Sequence, residues 1–97
     1  MKKIKELKDL FEIFKEIDLY NTYGVQKIGV FGSFARGESF NDIDIYIEDD
    51  IEFLKLMELK YTLETLSGIQ FDIITKKNAE PVILYRALKD MKYAVAN

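Results

Sequence analysis

Cysteine and histidine are both missing from the 97 residues. Without cysteine there is no disulfide framework, no thiolate nucleophile and no zinc–thiolate cluster. Without histidine, Ser-His-Asp and Cys-His catalysis and the facial-triad metal site are excluded as well. Any metal must then be held by oxygen, which favours Mg²⁺, Mn²⁺ or Ca²⁺. No run approaches the roughly 18 apolar residues of a membrane span, and Lys2-Lys3 is not followed by a signal-peptide core, so a cytoplasmic protein without a membrane partner is expected. Basic clusters are lacking too. The lysines lie scattered among acids at a net charge of −3, which disfavours nucleic acid as the main partner. Repeats and linkers are absent. The length suits one domain over residues 1–97, and 48% hydrophobic with 32% charged residues is an ordinary globular composition.

What is present alternates between helical and strand periodicity. Ile4, Leu7, Phe11 and Phe14, widened by Leu10, Ile13 and Ile17, predict an amphipathic helix over 3–20, with Lys5/Asp9 and Lys8/Glu12 pairs on its other side. Asn21 to Gly24 would end it. Val25 to Phe31 read as a short strand closed by Gly32, and Ser33 as the cap of a helical turn through Arg36. Gly37 to Asn41 are loop. Asp42 to Glu48 alternate, with Ile43, Ile45 and Ile47 on one face and Asp42, Asp44, Tyr46 and Glu48 on the other. Asp49 with Glu52 forms a capping box for a helix to about Ser67, whose buried stripe is Phe53, Leu56, Leu59, Leu63 and Leu66 and whose stop is Gly68. Ile69 to Thr75 give a third strand. Asn78 would cap a last helix with Pro81 in its first turn and a Val82, Tyr85, Leu88 ridge; Tyr93 to Asn97 would extend it or fray. The order α-β-α-β-α-β-α predicts an α/β fold with a three-stranded mixed sheet.

A helical crossover between the second and third strands implies parallel pairing, which puts Asp42, Asp44 and Asp72 at one edge and on one face. An antiparallel first strand would bring Gly32-Ser33 to the same edge. Singly, DIDIYIE is the wet face of an ordinary strand, FGSFARG a turn, and FDIIT a weak signal. Lys76 and Lys77 read as solvated charges. Arg36 suits either an ion pair with a nearby carboxylate or a phosphate contact. Together, the pieces make a different case. Three converging carboxylates repel one another unless a cation neutralises them. Backbone N–H groups at Gly32-Ser33 would cradle phosphate. Two metals on carboxylates suit in-line nucleotidyl or phosphoryl transfer.

GSFARG, then DID, then the later Asp72 after a helix resembles the minimal nucleotidyltransferases of the polymerase-β-like superfamily, over nearly the whole chain. The resemblance implies the nucleotidyltransferase fold. It implies that Gly32 and Ser33, with Arg36 beside them, hold the triphosphate of ATP. Asp42 and Asp44 would ligate two Mg²⁺ ions, for which Mn²⁺ may substitute, and Asp72 would complete one metal site and help activate the acceptor hydroxyl. It further implies a helical HEPN-type partner, in a toxin–antitoxin pair, that receives AMP on a hydroxyl. The alternatives are a non-catalytic nucleotide-binding interaction subunit, or nucleotidyl transfer to a small molecule such as an aminoglycoside. One departure from the family pattern stands out: eight residues separate Ser33 from Asp42, where about ten is more usual.

Overall fold

Leu10, Ile13 and Phe14 recur at helical spacing and are buried on one side of α1, Leu7–Glu16. The helix starts later than its apolar pattern because the Asp9 carboxylate accepts hydrogen bonds from the N–H groups of Lys5 and Glu6 at 2.9 and 3.1 Å. Asp9 is thus a capping residue and not the partner of an ion pair with Lys5. The computed structural model describes residues 2–96 of the chain. The single helix expected over 3–20 is two. Asp18 adopts φ 50°, ψ 47°, which breaks the hydrogen-bond ladder, and its carboxylate accepts from the Asn21 amide at 3.0 Å. The redirected chain forms α2, Leu19–Tyr23, and buries Leu19 and Tyr23, a gain that an uninterrupted helix would have turned to solvent.

The strands are β1, Lys27–Phe31; β2, Asp42–Ile47; β3, Gln70–Thr75; and β4, Lys92–Val95, in the spatial order β3-β2-β1-β4. Pairing of β2 with β3 is parallel, and β1 runs antiparallel to both β2 and β4. The fourth strand corrects the three-stranded expectation. Of the segment Tyr93 to Asn97, Tyr93 to Val95 neither extend the last helix nor fray, because an extended Met91 turns the chain back along the otherwise unpaired edge of β1, and Asn97 lies outside the described residues. Four residues are too few for their alternation to stand out in the sequence.

Ile28, Val30, Ile43, Ile45, Ile47 and Phe71 project from one face of the sheet into a core closed by α1, α2 and α4, Phe53–Ser67. Leu56, Leu59 and Leu63 are the buried stripe of α4, whereas Phe53 is 70% exposed and lies off it. Nor is there an Asp49–Glu52 capping box. Asp49 instead accepts the N–H of Gln26 at 2.9 Å, tying the end of β2 to the start of β1. Gly68 ends α4 in the left-handed region, as expected. Pro81 is the first residue of α5, Pro81–Asp90, behind Glu80. Asn78 sits in the preceding turn, its N–H donating to Thr75. The Val82, Tyr85, Leu88 ridge faces outward, 61, 64 and 50% exposed; Ala87 is the residue α5 buries. No helix of the described residues is long and apolar enough to cross a membrane.

Candidate functional site

The face of the sheet opposite the isoleucines carries the chemistry. Strand alternation sends Asp42 and Asp44 there, and the parallel register sets Asp44 beside Asp72. One carboxylate oxygen from each of Asp42, Asp44 and Asp72 lies within 4.8 Å of the others. The antiparallel register places Phe31 opposite Asp44, so the turn after β1 arrives beside that carboxylate. Gly32 holds φ +79°, and a Cβ there would collide with the Asp44 carboxylate. Glycine is therefore required twice over, by conformation and by space.

Burial raises the Asp44 carboxyl to about 6, helped by the charges of Asp42 and Asp72 and opposed by Arg36. Asp72 is raised as well, by burial first and then by a hydrogen bond and charge repulsion with Asp42, with Lys60 acting the other way. The cluster is thus under-compensated in its own surroundings. A hard divalent cation would relieve it, and a donor set made of oxygen alone suits such a cation.

The turn itself becomes α3, Gly32–Ala35, entered from an extended Phe31 with no side-chain cap. Ser33 is not the cap expected of it; among the described residues its hydroxyl makes no side-chain hydrogen bond. The leading N–H groups of so short a helix lie outside its own hydrogen bonding, which runs from Arg36 N–H to the Gly32 carbonyl and onward. The short connection to β2 closes tightly: Gly37 turns at φ +77°, and Phe40 packs edge-on against Phe34 with centroids 4.7 Å apart. Glu38 and Ser39 of this connection are exposed, and Asp42 beyond it is a member of the acidic cluster.

Arg36 is held by carboxylates on both sides. Its Nε donates to Glu38 at 3.1 Å and its Nη1 to Asp90 of α5 at 2.6 Å. Both partners reinforce its positive charge. Between α3, β2 and α5 lies a cavity of about 210 Å³ lined by Gly32, Arg36, Asp44, Arg86 and Asp90, among others. Sequence reasoning missed Glu38, Lys60, Arg86 and Asp90. Arg86 and Asp90 lie one turn apart and so share a helix face, but no local pattern says that this face meets the end of β1. A larger hollow of about 640 Å³, which includes Lys76, Lys77 and Phe53, opens at the other ends of β2 and β3, away from Asp42, Asp44 and Asp72. Both lysines are exposed there.

Residues 5–95 match the family described as polymerase beta, nucleotidyltransferase. Protein adenylyltransferase MntA of Thermococcus cleftensis is 34% identical over 94 residues, which cover 93% of this chain and 94% of that protein. A solved toxin–antitoxin structure with AMP-PNP has a TM-score of 0.66 at 26% identity, covering 81% of this chain and 68% of that one. The structure of a tri-AMPylated Shewanella oneidensis HEPN toxin in complex with an MNT antitoxin has a TM-score of 0.64 at 24% identity, covering 90% and 71%. At that last identity the likeness is one of fold.

Proposed function

The chain belongs to the polymerase beta nucleotidyltransferase family, and we propose that it is a Mg²⁺-dependent protein adenylyltransferase that moves AMP from ATP to a hydroxyl of a HEPN-type partner, as the antitoxin of a toxin–antitoxin pair. The observation that carries this reading is the cluster of Asp42, Asp44 and Asp72 beside the Gly32 turn. Asp42 and Asp44 would be the metal ligands, and Asp72 would complete one metal site. When bound, two Mg²⁺ ions would supply charge neutralisation on the attacking and leaving oxygens. Gly32 and Ser33 hold the triphosphate through backbone N–H groups and the Ser33 hydroxyl, with Arg36 in the wall beside them. Asp72, the exposed member of the cluster, is the group we assign to accept the proton of the acceptor hydroxyl. The acceptor oxygen bonds to the α-phosphorus, the bond to the β-phosphate bridging oxygen breaks, and pyrophosphate leaves.

Support for the substrate and the partner comes from relatives: one carries the name protein adenylyltransferase, one complex holds AMP-PNP, and another contains an AMPylated HEPN toxin. The test uses a HEPN-type protein from a neighbouring reading frame, Mg²⁺, and ATP labelled at the α or the γ position. Label from the α position is expected on the partner and none from γ, with the signal lost in Asp42→Asn and Asp44→Asn. Transfer of γ-label would mean kinase chemistry. Stable complex formation without transfer, indifferent to both substitutions, would make the chain a non-catalytic interaction subunit.

A further inference from the structure

The cavity between α3, β2 and α5 contains a cation that the nucleotide reading does not use. It is an open depression of about 210 Å³, with room for a phosphate group beside Gly32. It borders Gly32, part of the proposed phosphate cradle, and Asp44, whose carboxylate lies against that turn. A triphosphate brings several negative charges to a place already crowded with carboxylates. The positive groups close by are few. Arg36 is matched by both Glu38 and Asp90, and Lys60 acts on Asp72. Arg86 alone lines the cavity uncommitted: among the described residues no carboxylate lies within ion-pairing distance of it. Its exposed guanidinium is planar and forked, and can take two phosphate oxygens at once.

We propose that Arg86 of α5 binds the β- and γ-phosphates of the nucleotide, and that Arg36, fixed by Asp90, builds the wall against which they lie. This rests on the adenylyltransferase reading and adds to it a side chain that helps to distinguish ATP from AMP. It also gives α5 a role in the site, since both Arg86 and the Asp90 brace come from that helix.

The test is calorimetric binding of ATP, ADP and AMP, each with excess Mg²⁺, to the full chain and to Arg86→Ala and Arg86→Lys. Charge-assisted hydrogen bonds of this kind predict ATP and ADP weakened about tenfold to a hundredfold by Arg86→Ala. AMP should change less than about twofold, since it lacks the phosphates concerned, and Arg86→Lys should recover part of the loss. Thermal unfolding of each variant should match the parent, because the side chain is exposed. If the parent binds ATP and Arg86→Ala binds it equally well, or if ATP and AMP weaken together, the assignment is overturned while the adenylyltransferase reading stands. If the parent binds no ATP with Mg²⁺ present, that reading falls and this one with it.

Discussion

Gly32 and Asp44 constrain each other at the turn after β1. The left-handed backbone at Gly32 alone costs a side-chain-bearing residue roughly 1–2 kcal/mol. The Cβ would also drive into the Asp44 carboxylate, which could clear it only by rotating away from its present place in the acidic cluster. Gly32→Ala should therefore lower stability by about 1–3 kcal/mol in urea unfolding and weaken ATP binding at the same time. Ser33→Ala serves as the comparison. Among the described residues its hydroxyl makes no side-chain hydrogen bond, so the change should leave stability nearly untouched and weaken ATP binding less. Equal stability losses in the two variants would mean that the turn is not held against Asp44.

At the scale of elements, β4 depends on a second glycine. Gly29 lies in the middle of β1, and a Cβ there would come within 2.5 Å of Met91 Sδ and 3.2 Å of the Tyr93 ring. Met91 can bend away, but Tyr93 is the residue paired with Gly29 in the ladder. Gly29→Val should push β4 off its register, at a cost of about 1–3 kcal/mol for overpacking. Amide exchange would show it as lost protection over Lys92–Val95, with β2 and β3 protected as before. Unchanged protection in β4 would show that the strand is held by something other than this close approach. Displacing β4 should also disturb α5, which leads directly into it and carries Arg86 and Asp90.

Across the whole molecule, the acidic cluster couples stability to both pH and metal. The Asp44 carboxyl sits at about 6 in the fold against an ordinary value of 3.8, so the folded, metal-free protein holds this proton more tightly than the unfolded chain does. The stability it contributes is fully present below pH 3.8 and is lost as pH rises towards 6. Asp72, shifted in the same direction, adds to the trend. The difference in Tm between metal-free parent and Asp44→Asn should accordingly grow in favour of the variant across that window and then level off. At neutral pH, Mg²⁺ should raise the Tm of the parent and do little for the variant. A difference that does not vary with pH, or an equal response to Mg²⁺, would show that the three carboxylates do not act as one cation site.

Much of this protein was legible in local sequence because its signals are local. Ile43, Ile45 and Ile47 alternate against Asp42 and Asp44, Leu56, Leu59 and Leu63 recur at helical spacing, and Gly68 stops a helix, each by rules that operate within a few residues. The parallel pairing of the second and third strands followed from the length of the helix between them, and that was enough to bring the three aspartates together. Tertiary structure decided the rest. It broke the first helix at Asp18 because burying Leu19 and Tyr23 outweighed an unfavourable backbone conformation. It made a strand of Lys92–Val95 because β1 had a free edge, which no four-residue pattern announces. It turned the Val82, Tyr85, Leu88 ridge outward, since α5 lies over the end of β1 and beside α3, where Ala87 is the residue that fits. Arg36 met Asp90, 54 residues away, only because that helix docks there. Which cation remains unpaired beside the turn depends on such distant contacts, and a sequence read in windows does not contain them.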